Sequence, residues 1–242
     1  MFSKKDKIII FSLLIIIIIF GFIFFRNKYS KDIKAAIIPH HLLAKDLIED
    51  LGQRVSRNKK IRKVFIIGPN HDELGKGPLL TDSNQLKSNF LILDKETIEK
   101  DHSCWAPRSI LQKYFSNVEI NCILISSKAN IVELQEIAKE ISFNNQETLV
   151  VISTDFSHYL TKDEADKNDI TTQDLISQKN VDSILRLNNG FVDSPKSLAF
   201  LFFYLKNINN IDQKILNHLN SSQILNQPNL ASTTSYFEII FY

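Results

Sequence analysis

The segment Val64-Phe65-Ile66-Ile67-Gly68-Pro69-Asn70-His71 runs through apolar residues into a turn and stops on a histidine. Two other segments share this plan: Ala35-Ala36-Ile37-Ile38-Pro39-His40 and Leu149-Val150-Val151-Ile152-Ser153-Thr154-Asp155-Phe156-Ser157-His158. Three of the chain's six histidines therefore stand at the ends of strand-like runs. In an open α/β sheet the ligand crevice lies outside the carboxyl ends of the strands, so three such strands would bring imidazoles to one polar pocket. Converging imidazoles point to a metal or an acid–base site.

Outward from these runs, strand-like and helix-like segments alternate. Leu42 to Val55 repeats apolar residues at Leu43, Leu47, Ile48 and Leu51, which is helical spacing. Gly75 to Pro78 opens a loop, and Leu79 to Leu93 reads as short extended pieces forming a hairpin beside the site. Asp94 is placed to cap a helix predicted over Lys95 to Lys100. A helix around Pro107 to Phe115, a strand from Glu119 to Ile125 and a helix from Ile131 to Phe143 are expected next, before the third histidine-bearing strand. Helices are then predicted over Asp163 to Ser177, Val181 to Leu187 and Pro195 to Lys206, the last beginning with proline where helices tolerate it. Residues 232–241 read as a closing strand. The alternation predicts an α/β fold, a three-layer αβα sandwich with a mixed, largely parallel central sheet.

The amino terminus adds a different element. Ile8 to Phe25 holds 18 residues without a charge, about 27 Å of helix and just enough to cross a bilayer. The run passes directly into Phe24-Phe25-Arg26-Asn27-Lys28 with no small residues for cleavage, which predicts an uncleaved transmembrane anchor. The expected plan is a basic tail (1–7), an anchor (8–25), a linker (26–32) and one globular domain (33–242). Basic residues flank the run on both sides, so charge does not orient it. A short amino-terminal span usually acts as a signal anchor with its tail inside, which predicts a single-pass membrane protein whose domain is extracytoplasmic in a bacterium.

The first 31 residues carry six of the 29 Lys and Arg and one of the 27 Asp and Glu, leaving 23 basic against 26 acidic residues. That balance, with no basic stripe interleaved with aromatics, argues against nucleic acid as a partner. Two cysteines make no disulfide framework. Cys122, inside a strand-like run, reads as a small core residue, and its pairing with Cys104 stays open for an exported domain.

His40 and His41 are adjacent, so on extended backbone they face opposite ways, and His40, directly after Pro39, is the better site candidate. His71 follows a turn that directs side chains into a crevice, although a turn histidine is also often merely exposed. Asp155 and His158, three residues apart, offer an imidazole with a carboxylate to orient it, or an acid–base pair; Asp155 also suits a helix cap. His102 lies near a helix start as a donor behind the site, and His218 reads as surface.

Pro39-His40, Gly68-Pro69-Asn70-His71, Asp101-His102-Ser103 and Ser153-Thr154-Asp155-Phe156-Ser157-His158-Tyr159, in this order and at these separations, resemble the Memo-like family, also called AmmeMemoRadiSam system protein B. The likeness spans about residues 33 to 242. It implies a fold similar to the class III extradiol dioxygenases of the LigB type and a non-haem metal pocket at the strand ends. It also implies association with AMMECR1-like and radical SAM proteins. His40, His71, Asp155 and His158 match the family pocket; the family's later cysteine has no match, and Asp193 in Phe191-Val192-Asp193-Ser194-Pro195 is the replacement, or else a cap of the helix that follows. Where the family pattern is similar to Glu-His-Ser-x-Glu with a later glutamine, this chain has Trp105 and Pro107, implying a more apolar substrate wall. His40, His71 and Asp193 are thus the expected metal ligands, with Asp155, His158 and His102 as catalytic candidates. Two histidines and a carboxylate suit Fe(II), while Cu, Zn and Mn stay open. The alternatives are a non-catalytic peptide- or protein-binding scaffold on the same fold, and extradiol ring cleavage.

Overall fold

The middle of the sheet is built by strands whose side chains are buried on both faces. In the computed structural model, which describes residues 32–209 and 212–242, the elements in chain order are β1 (Ala35–Ile38), α1 (Lys45–Val55), β2 (Lys63–Pro69), β3 (Leu79–Thr81), β4 (Ile92–Leu93), α2 (Lys95–Lys100), α3 (His102–Leu111), β5 (Glu119–Ile125), α4 (Ile131–Ser142), β6 (Thr148–Ser153), β7 (Phe156–Leu160), α5 (Lys162–Gln178), α6 (Val181–Ile184), α7 (Pro195–Asn207), β8 (Gln213–Asn220), α8 (Ser221–Ile224) and β9 (Thr233–Phe241). The predicted anchor and basic tail lie outside the described residues. Among the described residues no helix is long and apolar enough to cross a membrane.

The described strands form one sheet in the order β4-β3-β5-β2-β6-β1-β9-β7, with β8 also pairing β9. Its centre, β5-β2-β6-β1, is parallel. The margins are antiparallel: β3 on β5 on one side, and β9 on β1 on the other. β1 and β6 are buried at every position, as parallel strands covered by helices on both faces must be. Alternate side chains feed two cores. Ile37, Phe65, Ile67, Val150 and Ile152 pack on one face with Leu134 and Ile137 of α4 and Leu198 and Leu201 of α7. Ile38, Val64, Ile66 and Val151 pack on the other with Ile48 and Leu51 of α1 and Ile110 of α3. The three layers expected from the alternation are therefore present.

Four local expectations need correction. β3 and β4 are not a hairpin but run parallel, because the ten residues between them (82–91) carry the chain back before β4 begins. The helix expected from Pro107 starts earlier, at His102, capped by the Asp101 side chain, which accepts from the Ser103 N–H. Pro107 sits inside this helix and cannot donate to the Ser103 carbonyl four residues back. The Ser153 hydroxyl donates to that carbonyl instead, at 2.5 Å. The third apolar run ends at Ser153, and His158 belongs to a separate strand, β7, antiparallel to β9. Finally β8, where the sequence predicts no element, is a half-exposed edge strand with weak apolar alternation.

The open question of the cysteines is answered by a disulfide. Cys104 of α3 and Cys122 of β5 are bonded, with Cα atoms 6.1 Å apart, and both are buried. Cys122 is a core residue and also a tether for the helix that follows His102.

Candidate metal centre

The ends of β1 and β2 deliver His40 and His71 with one ring nitrogen of each already engaged. β1 stops at Pro39, and the His40 backbone N–H donates to Asp155 Oδ1 at 3.1 Å. His40 is 3% exposed. Its Nδ1 lies 3.3 Å from the Ser153 hydroxyl, which leaves Nε2 directed at the acidic groups. His41 faces the opposite way, with Nδ1 2.6 Å from the Tyr236 hydroxyl.

β2 ends in a turn locked by Asn70, whose side chain bonds the Leu74 backbone in both directions at 2.7 and 3.2 Å. His71 follows. Its backbone N–H donates to Asp101 Oδ2 at 2.9 Å, and its Nδ1 meets Asp101 Oδ1 at 3.0 Å. The carboxylate behind the ring fixes its orientation and leaves Nε2 for a ligand. The turn and α3 are pressed together: the Ser103 hydroxyl donates to the Pro69 carbonyl at 2.9 Å. A Cβ on Gly68 would come within 2.6 Å of that hydroxyl oxygen, so any larger residue must displace Ser103.

Asp193 arrives from the loop before α7. Its backbone N–H donates to the Asp155 carbonyl at 3.1 Å, and Oδ1 accepts from the Thr154 hydroxyl. The cap of α7 is Ser194, not Asp193, so the capping role falls away. Asp193 Oδ2 stands 3.1 Å from His40 Nε2 and 3.8 Å from His71 Nε2. It is buried and makes no well-formed hydrogen bond among the described residues. Donor atoms sharing one metal at about 2.1 Å and right angles lie about 3 Å apart, so this spacing fits a divalent ion.

His102 joins the cluster more closely than a donor behind the site would. Its ring stacks on His71 at 4.1 Å and meets His40 edge-on at 4.9 Å. Nitrogens of His40, His71 and His102 lie within 4.8 Å of one another, as do donor atoms of His40, Asp155 and Asp193. Stacked rings do not both hold a metal in their planes, so His102 stands beside the centre on its open side, about half exposed.

The Asp155–His158 pairing expected from spacing is not formed. Asp155 gives Oδ1 to the His40 backbone and has Oδ2 3.5 Å from His40 Nε2, so it orients His40. His158 Nδ1 is buried with no hydrogen-bond partner among the described residues. A register shift in β7 follows it, where Tyr159 takes φ +62°, a strained value for a bulky side chain.

Charges in the cluster shift one another. Burial opposes charge on His71, but its bond to the Asp101 carboxylate and the facing Asp193 carboxylate outweigh this and raise its pKa to about 10. Burial opposes charge on Asp101 as well, and the bonds from His71 pull its pKa down to about 2. Burial and then the neighbouring His71 and His40 lower His102 to about 4, so it stays neutral. Asp193 is desolvated, yet His40 and His71 hold its carboxyl well below the usual range. Burial, aided by the Asp193 charge and opposed by His40, pushes the Asp155 pKa up. Metal binding would replace the His40 and His71 protons with one ion facing an ionised carboxylate.

A cavity of about 380 Å³ opens beside His71 and Asp193 and is walled also by Pro69, Glu73, Ile125 and Lys196. Trp105, expected on the substrate wall, is a 40% exposed surface residue and does not line it, while Pro107 is buried within α3. The supporting residues Ser103, Ser153 and Thr154 were missed, though each stands within a quoted motif.

Comparison with known proteins agrees with this architecture. MEMO1 family protein TV1383 of Thermoplasma volcanium is 26% identical over 216 residues, covering 77% of this chain and 74% of that protein. A crystal structure of the uncharacterized protein JW3007 from Escherichia coli K12 matches with a TM-score of 0.52 over 84% of this chain and 98% of that one. At 12% identity the second likeness concerns the fold alone. The family described as Memo-like protein matches residues 80–239. With more than half of the sequence matched, the chain belongs to the Memo-like family.

Proposed function

We propose that the strand-end pocket holds a divalent metal through His40, His71 and Asp193, as a non-haem, Fe(II)-type centre, with Cu, Zn or Mn as the alternatives. One observation carries this reading: the buried Asp193 Oδ2 faces the Nε2 atoms of His40 and His71 at 3.1 and 3.8 Å and makes no well-formed hydrogen bond among the described residues. A carboxylate at the position of the family's cysteine gives a harder donor than thiolate, which favours iron, manganese or zinc over Cu(I). A metal bound here would supply Lewis acidity and, if iron or copper, a change of redox state.

The remaining groups divide the work around it. Asp101 and Ser153 fix the two imidazoles from behind, and Asp155 fixes the His40 backbone. His102, neutral and half exposed on the open side, is the group placed to take a proton from a bound substrate. His158, whose Nδ1 has no hydrogen-bond partner among the described residues, is the second acid–base candidate.

We place this domain on a membrane through residues 8–25, outside the cytoplasm. The Cys104–Cys122 disulfide supports an oxidising compartment. AMMECR1-like and radical SAM proteins are the partners that family membership suggests. Elemental analysis of protein purified without oxygen and with added iron tests the metal. Stoichiometric metal that is lost in His71→Ala supports the reading; absence of metal from the wild type rejects it in favour of a non-catalytic scaffold. Labelling of a carboxyl-terminal tag from the cytoplasmic side would refute export.

A further inference from the structure

The 380 Å³ cavity does not end at the metal cluster. Leu185 and Lys196 also wall a second cavity of about 650 Å³, which reaches Phe90, Ile131 and Val132. The two cavities share Leu185 and Lys196 in their lining, with His71 and Asp193 on one side and the apolar residues on the other.

Lys196, in the first turn of α7, donates to the carbonyls of Ser127 and Ala129. These two bonds leave one ammonium proton for another acceptor. Glu73 and Glu133 act on it only through charge. The Glu73 carboxylate is already taken by the Ser126 hydroxyl and the Ser127 N–H. Partial burial pulls the Lys196 pKa below the ordinary lysine value.

The far end is unusual for a surface. Phe90, Ile131 and Val132 are 38%, 44% and 59% exposed, and they converge from a loop and from the first turn of α4. Large apolar side chains grouped in one groove mark a binding surface better than scattered ones do.

We propose that this cleft takes a small single-chain carboxylate, its head between Lys196 and the metal face and its hydrocarbon tail along Leu185, Phe90, Ile131 and Val132. The metal reading of the previous section supplies only what the head faces. The lysine selects the anion; the apolar wall selects the chain. Each of the two cavities is of the size used for small-molecule ligands.

The full chain in lipid nanodiscs is titrated calorimetrically with octanoate and with octanol, subtracting empty nanodiscs, and its metal content is measured on the same samples. Octanoate is expected to bind at least about tenfold more tightly than octanol, the effect of one charge-assisted hydrogen bond. Lys196→Gln should bring the two affinities together. Val132→Asn, at an exposed first-turn position that tolerates asparagine, should weaken both ligands alike. Equal affinities in the wild type, no binding of either, or an unchanged ratio in Lys196→Gln overturns the proposal. Metal-free protein that still prefers octanoate upholds the cleft and rejects the metal centre; metal-loaded protein without the preference rejects the cleft alone.

Discussion

Two clusters of histidine and aspartate stand in this domain, and they differ in what they leave over. Around Asp169 everything is matched. One carboxylate oxygen accepts from the Ser157 hydroxyl at 2.6 Å, and the other meets His218 Nε2 at 2.7 Å. The His218 ring lies flat on Phe237 at 4.2 Å, and Asp166 pairs with Lys162. This cluster fastens β8, β7 and α5 together. At the strand ends, by contrast, three imidazoles meet Asp101, Asp155 and Asp193, and Asp193 Oδ2 is buried without a hydrogen bond among the described residues. Residue types within reach of one another do not make a metal site. An unspent buried lone pair facing two fixed imidazoles is the better criterion.

The strongest way to break this contrast is to remove one acid from each cluster. Asp193→Asn should lower metal affinity by at least about a hundredfold, read by competition with a chelating dye, because a ligand oxygen and its charge are weakened together. Asp169→Asn should leave metal content unchanged and destabilise the fold by about 1–3 kcal/mol in denaturant unfolding, through a weakened buried hydrogen-bond pair. Metal loss in Asp169→Asn with none in Asp193→Asn would reverse the assignment.

A second test separates the tether from the site. Replacing both Cys104 and Cys122 by serine opens a loop of 18 residues, for which about 3 kcal/mol of stability is expected to be lost. Since α3 carries Asp101 and His102 at its start, metal affinity should fall as well, whereas the Asp169 cluster, on the opposite side of the sheet order, should keep its hydrogen-exchange protection.

The pH dependence sharpens the contrast further. The folded-state pKa of His71 is raised to about 10 from 6.5. Its contribution to the stability of metal-free protein is therefore complete below pH 6.5 and is lost as pH rises through about 10. The melting temperature of chelated protein should fall across that window, and His71→Gln should flatten the fall. Metal must displace the same proton, so metal affinity should rise across the window in which metal-free stability declines. A metal affinity independent of pH would show that His71 is not a ligand. The smallest effect is expected from Ser153→Ala, about 1 kcal/mol, for the hydroxyl bonded to the Ser103 carbonyl.

Much of this architecture is readable from residues alone. β1, β2 and β6 are largely continuous apolar runs and β5 ends in one, and helices with apolar residues three and four apart fall between them, so the parallel centre and its two helical layers follow from periodicity. The margins do not follow. β8 is half exposed and polar at alternate ends, and β4 is only two residues long, so neither carries a pattern above that of a loop. The third histidine misleads for a related reason. Leu149 to His158 is one uninterrupted sequence signal, but the chain leaves β6 at Ser153 and starts an edge strand at Phe156. Sequence spacing brings Asp155 to His158; the fold brings it to His40, 115 residues away. Such long-range pairing carries no local signature, and neither does the hydrogen bond between His218 and Asp169, which made His218 look like bare surface.

Gly68 contributes no donor atom, yet it sets how closely the His71 turn and the Asp101 helix approach. For anyone wishing to redesign the centre, it is a spacing control. An alanine there has to push Ser103 away, shifting the helix that carries Asp101 and His102 relative to the His71 turn. Ion selectivity depends on cavity size and ligand geometry as well as on ligand identity. The preference of the pocket among divalent ions is therefore adjustable from a position that touches none of them.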